Sequence, residues 1–273
     1  KGFFIIDALR RGISRNEGYN SLITESVGSL SLGLTEQLKD DTTPYGATCI
    51  AEFAGRVWYS GFSGKIVDGD TRSPRMSSYV LFSQLVVDPS NIDKCYQKND
   101  PTYEQEADLL ATDGGFIRID EAYGIKRLIS MGDNLAVLAT NGTWIIRGGT
   151  DNGFTAESYI VDKITDQGIL SAQSAVDNGS GVLYWANSGI YSIAPNQFGS
   201  YEATDITKST IQTFYEKIPN AQKANASGVF DRYENKIRWT YGTNVSGDDS
   251  YELVLDIDLQ AFYPNEIKAL DTD

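Results

Sequence analysis

Histidine is absent from the 273-residue chain, which removes the Ser-His and Cys-His nucleophile pairs and every imidazole metal ligand at once. Any catalysis must then rest on carboxylates, Lys, Tyr and Ser. Cysteine is almost as scarce. Cys49 and Cys95 can form at most one bridge, so no disulfide framework staples the fold, and two buried free thiols in a reducing compartment are expected. No run reaches the ~20 consecutive apolar residues of a membrane-spanning helix. No basic leader followed by an apolar stretch opens the chain, and because it begins with Lys1 rather than Met it reads as a fragment of a longer protein. Basic charge is also short: 23 Lys and Arg against 37 Asp and Glu give a formal net charge of -14. A surface of that sign repels phosphate backbones, so a face that grips nucleic acid cannot dominate.

What the chain does have is 41% hydrophobic and 22% charged residues, enough to bury one large core or two smaller ones. Its periodicity favours strands. Turn residues flanked by β-branched and aromatic runs recur in AEF-AG-RVWYSG at Ala54 and Gly55, in LAVLAT-NG-TWIIRGG at Asn141 and Gly142, in VLYWA-NSG-IYSI at Gly189, and in VFDRYENKIRWTYG at Asn235. Asn141-Gly142 is the strongest of these signals, because a two-residue type I′ turn needs positive φ at both positions. The marks fall roughly 45 residues apart, with one missing between 55 and 142, and that spacing is the one four-stranded propeller blades produce. Trp58, Trp144, Trp185 and Trp239 sit beside the four turns, as large side chains filling the gaps between blades would. The fold class expected is therefore all-β, a β-propeller-like assembly of antiparallel hairpin blades with one or two short inserted helices. A sandwich with irregular hairpins is the alternative.

The clearest helix lies in DITKSTIQTFYEKIP, where Ile211, Phe214, Tyr215 and Ile218 share one face, Thr207 caps the start and Pro219 stops the end. A second, weaker pattern runs from Asp100 and Pro101 through YEQEADLLA to Gly114 and Gly115. Residues 1–45 carry scattered Gly and Ser without strand alternation and read as a linker or part of an adjacent domain, leaving 46–273 as the β-propeller region.

Carboxylates are the only serious catalytic material, since glycosidases use two acids at an active-site mouth. Asp68 and Asp70, Glu104 and Glu106, Asp113, and Asp256 and Asp258 are available. Acids in DGD and GDDS loops are more often solvated turn residues. Asp256 and Asp258 alternate with Leu255, Ile257 and Leu259, so they lie on one face of a strand or its turn and serve turn formation ahead of Phe262 and Tyr263. The acidic loops lack the EF-hand pattern, and the Gly-rich RGGTDNG lacks the Lys-Ser/Thr of a P-loop. Sixteen tyrosines suit carbohydrate stacking, though aromatic strand residues more often form core. No catalytic residue, cofactor site or metal site is assigned.

Several phrases together resemble the tail nozzle proteins of short-tailed bacteriophages (podoviruses), the tail tubular protein B family. They are AEFAGRVWYSG (51–61), YVLFSQLV (79–86), CYQKNDPTYEQEADLLATDGG (95–115), NLAVLATNGTWIIRGG (134–149), TAESYIVDKITDQGILSAQSAV (155–176), VLYWANSGIYSI (182–193) and DITKSTIQTFYEKIP (205–219). The specificity lies in their order, since each alone is a hairpin with aromatic residues. The resemblance, over about Ala51 to Gly242, implies a propeller-based structural protein of the virion tail. It would form a hexameric ring, a homo-oligomer, below a tail adaptor of the tail tubular protein A type. The ring would serve as the distal tube for genome ejection and offer surfaces to tail fibres or plug proteins. Double-stranded DNA would pass through without specific binding, and the protein would assemble in the bacterial host cytoplasm. The family's chains are longer and carry further regions. A repulsive acidic wall suits such a conduit, because each cation paired to a phosphate adds affinity through counterion release. Two other functions compete: a propeller carbohydrase (depolymerase) using a carboxylate pair, and a monomeric propeller scaffold that binds proteins.

Overall fold

The computed structural model describes residues 47–61, 76–92, 95, 110–149, 153–242 and 250–267. They form four four-stranded antiparallel sheets, each a simple meander. Sheet 1 contains β1 (Cys49–Phe53), β2 (Arg56–Ser60), β3 (Tyr79–Phe82) and β4 (Gly115–Arg118). Sheet 2 contains β5 (Ile125–Met131), β6 (Asn134–Ala139), β7 (Gly142–Gly148) and β8 (Tyr159–Thr165). Sheet 3 contains β9 (Val176–Asp177), β10 (Val182–Trp185), β11 (Ile190–Pro195) and β12 (Tyr201–Asp205). Sheet 4 contains β13 (Ser227–Asp231), β14 (Lys236–Gly242), β15 (Ser250–Asp256) and β16 (Ala261–Ile267). The chain is thus all-β, with a propeller-like succession of hairpin blades. From sheet 2 onward a new blade starts every 50 residues or so. The interval between positions 55 and 142 runs from the first hairpin of sheet 1 to the middle hairpin of sheet 2. That interval is long because the β2–β3 and β3–β4 connections lie within sheet 1, and because the marked turns join the first two strands in sheets 1 and 4 but the middle two in sheets 2 and 3. The expected linker 1–45 and most of the weaker helix after Asp100 lie outside the described residues. Gly115, expected to close that helix, opens β4 instead.

The region read as one propeller divides into two compact units, the first reaching Ala139 and including Trp144–Asp162, the second containing Thr140–Thr143 and everything from Lys163. In the first unit the inward faces of sheets 1 and 2 share one core, with Phe53, Trp58, Val80, Phe82 and Ile117 against Leu128, Leu135, Val137, Trp144 and Ile146. The second unit repeats the arrangement: Val176, Leu183, Trp185 and Ile190 of sheet 3 meet Ile237, Trp239, Leu253 and Leu255 of sheet 4. Each core therefore holds two of the four tryptophans. Fully burying such a ring contributes roughly 4–6 kcal/mol as an upper estimate. Trp58 lies edge-on to Phe154 at 4.7 Å between centroids, and Trp185 touches Tyr215, Tyr241 and Trp239 at 5.2, 5.4 and 6.2 Å.

Burial in the first unit extends to a charge. Arg56, at the start of β2, is 1% exposed. Its guanidinium donates to the carbonyls of Ser83 (2.6 Å), Asp113 (2.5 Å) and Ala111 (2.5 Å) and lies 5.4 and 5.7 Å from the centroids of Phe82 and Phe154. Desolvation lowers its pKa, opposed by the nearby Asp113 carboxylate, which is itself fully buried and accepts from the Leu110 amide at 3.0 Å. The cation closes the ends of two irregular segments whose carbonyls have no strand partner at that point. Neither cysteine forms a disulfide; Cys49 is buried, as expected, whereas Cys95 is only half-buried, because it lies outside the sheets.

The hairpin at Ala54-Gly55 forms as read, with φ of 52° and 66°, the left-handed pair of a type I′ turn. The hairpin at Asn141-Gly142 also forms, but neither residue adopts positive φ. The turn is shifted one residue toward the N-terminus, onto Thr140 and Asn141, and Gly142 opens β7 as a buried strand residue. The helix read at 205–219 is present but short: α1 covers Gln212–Lys217 and α2 covers Asn220–Lys223. Thr207 does not cap α1 with its side chain. Its carbonyl instead accepts from the amides of Thr210 and Ile211 in the turn before it; α1 stops ahead of Pro219, as expected, and Pro219 is also the residue from which α2 starts.

Two outcomes follow from these contacts. Arg56→Met removes the donor to the Ser83 and Asp113 carbonyls and should destabilise the chain by about 3–5 kcal/mol, with Arg56→Lys recovering only part because an ammonium cannot reproduce the fork; denaturant unfolding followed by fluorescence reads both. Ala54→Gly relieves a non-glycine residue at φ 52° and should add about 0.5–1 kcal/mol, seen as a raised melting temperature.

Candidate functional site

Of the acids read as possible catalysts, Asp113, Asp256 and Asp258 are among the described residues, and each is engaged in its local structure. Asp113 is consumed in the core beside Arg56, and Asp68, Asp70, Glu104 and Glu106 lie outside the described residues. Asp256 does what its pattern indicates: its carboxylate accepts from the Leu259 amide at 3.0 Å across the β15–β16 turn, while Asp258 accepts from the Asn235 side chain at 2.6 Å. The β13–β14 turn is built the same way. Asp231 accepts from the amides of Tyr233 and Glu234, and the residue four positions after each Asp takes positive φ, Asn235 at 52° and Gln260 at 51°. These carboxylates are turn fasteners. Among the described residues no group of three or more His, Cys, Asp or Glu is placed to hold a metal ion.

The concave feature with the most specific chemistry lies in the second unit, between sheets 3 and 4. One row across sheet 3 reads Leu183, Ser192, Thr204, set by the register of β10, β11 and β12. It therefore turns from apolar to hydroxylic toward the outer strand. The matching row of sheet 4, Ile237, Leu255, Phe262, stays apolar to its outer strand. The two sheets pack where both rows are apolar and leave a cleft of about 410 Å3 where they differ. Its rim is fixed by Asp205, whose Oδ1 accepts from the amides of Thr207 and Lys208 and from the Thr207 hydroxyl at 2.9, 3.1 and 2.7 Å. Ser209, Thr210 and Gln260 also line the cleft.

A second groove in the same unit, about 660 Å3, is lined by Phe214, Lys217, Pro219, Tyr241, Tyr251 and Pro264, with the two tyrosine rings stacked 5.5 Å apart. Between these features the helical segment clamps the β10–β11 turn. The Tyr215 hydroxyl donates to the Ala186 carbonyl at 2.6 Å, Gln212 to the Ser188 carbonyl at 2.9 Å, and the Lys223 ammonium to the Asn187 carbonyl at 3.2 Å while lying 4.3 Å from the Tyr215 ring centroid. Gly189 is required there, because a Cβ would stand 2.5 Å from the Thr207 hydroxyl.

Burial, strengthened by the Asp205 carboxylate, pushes the Tyr215 phenol well above its ordinary range. Burial likewise carries Tyr184 up to about 12, although Thr143 donates to its oxygen. Desolvation lowers Lys223, partly offset by Glu216. A tyrosine raised in the folded state keeps its proton after the unfolded chain has lost it, so its stabilisation is full below about pH 10 and is lost as pH rises toward 12. The lysine acts with the opposite sign, its cost fading as pH approaches about 10.5. Stability should therefore fall steeply between about pH 10 and 12, and Tyr184→Phe, less stable at pH 7, should show a shallower fall in thermal melts across that window.

The hydroxyl row of the cleft was invisible in the sequence, since Ser192 and Thr204 meet only through register. Arg56 left one signal, a lone cation in the apolar R-V-W-Y-S strand. No protein-family model and no curated protein matches the chain. Among solved structures it is similar to Hsv2 of Kluyveromyces lactis at a TM-score of 0.32 and 12% identity, covering 81% of this chain and 61% of that one. The chain thus spans about three fifths of the length of that structure, and a likeness of this strength carries no argument about activity or partners.

Proposed function

We propose that the chain is a structural component of a bacteriophage virion, the nozzle that forms the distal tail tube of a short-tailed phage. In this reading it assembles as a ring of about six copies below a tail adaptor, gives fibres or plug proteins a surface, and lets double-stranded DNA pass without specific binding. It performs no catalytic turnover.

The observation that carries the reading is the colinear set of family-like phrases together with what three of them do. Arg56 belongs to the G-R-x-W-Y-S-G hairpin, Ser83 to the V-x-F-S-Q strand and Asp113 to the D-G-G turn, and the Arg56 side chain bonds the other two residues' carbonyls. A motif set whose members hold one another in a dry core supports a building role. The net charge of -14 supports a conduit, since an acidic wall repeated about an axis repels the phosphate backbone.

Native mass spectrometry and negative-stain imaging of the purified chain test this directly. Closed rings of about six subunits are expected; a strictly monomeric chain at tens of micromolar would overturn the reading.

A further inference from the structure

The cleft between sheets 3 and 4 has a chemistry that none of its neighbours uses. The hydroxyls of Ser192, Thr204 and Ser209 take no protein partner among the described residues. Ser192 and Thr204 stand side by side on paired strands, so two donor-acceptor groups face the cleft at the spacing of adjacent strands, about 5 Å. The floor is apolar, with Leu183 and Leu255 buried and Phe262 half-buried beside them. No Lys or Arg lines the cleft, and its one carboxylate, Asp205, is already bonded to Thr207 and Lys208.

Each feature narrows the ligand. Without a cation the cleft cannot favour a phosphate, sulfate or carboxylate. A purely apolar ligand would strand the hydroxyl row away from water, at a cost for each group. What satisfies both walls is a neutral molecule with hydroxyls on one edge and a C–H face on the other. The volume of 410 Å3 falls within the range of small-molecule sites.

The geometry points to a binding site for a neutral saccharide unit, with Ser192, Thr204 and Ser209 hydrogen-bonding its hydroxyls and Phe262 contacting its C–H face. The site binds and does not cleave. This goes beyond the nozzle reading and does not rest on it: rings that bind no sugar leave that reading intact, and a monomer that binds sugar leaves this one intact.

Saturation-transfer NMR on the full chain tests it, irradiating aromatic protons in the presence of methyl glucoside, methyl galactoside, N-acetylglucosamine and maltose at up to about 10 mM each. Transfer to the C–H protons of at least one neutral sugar is expected. Ser192→Ala and Thr204→Val should each weaken that binding about three- to tenfold, the loss of one hydrogen bond, with the melting temperature unchanged. Ser209→Ala, exposed at the rim, gives a second variant with little risk to folding. No transfer from any neutral sugar overturns the assignment. So does binding that the hydroxyl variants leave intact, or binding confined to glucuronate, glucose 6-phosphate or a peptide.

Discussion

The first unit is organised around a single buried cation. Placing Arg56 in an apolar core is costly unless it is hydrogen-bonded, and the chain offsets that cost with backbone rather than carboxylate partners: the carbonyls of Ser83, Ala111 and Asp113 take Nη1 and Nη2, with Phe82 and Phe154 beside the guanidinium, while Nε has no partner among the described residues. Carbonyls at the ends of long connections are the groups a β-meander cannot pair by itself. The arginine therefore solves a problem created by the length of those connections, and sheet 1 is the blade with the longest ones. The other sheets have shorter connections in the sequence and contain no equivalent buried arginine among the described residues.

The second unit meets a similar need differently. Its helical segment supplies three separate donors, Gln212, Tyr215 and Lys223, to three successive carbonyls of the β10–β11 turn. Each donor reaches back more than twenty residues, so the segment is tied down by tertiary bonds rather than by its own propensity. That accounts for its shape. A helix of six residues is too short to be stable alone, and the apolar face of Ile211, Phe214, Tyr215 and Ile218 has its value only against sheets 3 and 4. The β10–β11 turn is held rigidly as a result.

How much of this the sequence discloses depends on whether the cause is local. The Ala54-Gly55 turn and the Asp256 fastener depend on residues within four positions, and both are legible. The same local rule misleads at Asn141-Gly142, where the pair with the strongest type I′ preference gives up the turn to Thr140 and Asn141 and Gly142 is buried in β7. Local preference there is worth less than the packing of a whole strand. Turn marks do not count blades for the same reason: they record hairpins, not which hairpin of a sheet they belong to. The cleft was out of reach altogether, because Ser192 and Thr204 are ordinary polar strand residues until register sets them side by side.

Charge gives the last constraint. Many of the cations among the described residues are spent internally or on neighbouring acids. Arg56 and Lys223 are buried against carbonyls. Arg118, Arg147 and Lys163 each pair with an aspartate, and Arg238 on the outer face of sheet 4 is held among Asp231, Glu234 and Glu252. Exposed pairs of this kind add little stability, but each removes a positive charge from what a distant polyanion feels. Acids outnumber bases in the chain as a whole, so pairing the few cations leaves the excess carboxylates uncompensated. The net charge then sets the sign of the long-range field, and salt shortens its reach to about 8 Å at physiological ionic strength without reversing it. A protein meant to hold nucleic acid would need the opposite arrangement, with its cations displayed and its acids turned inward.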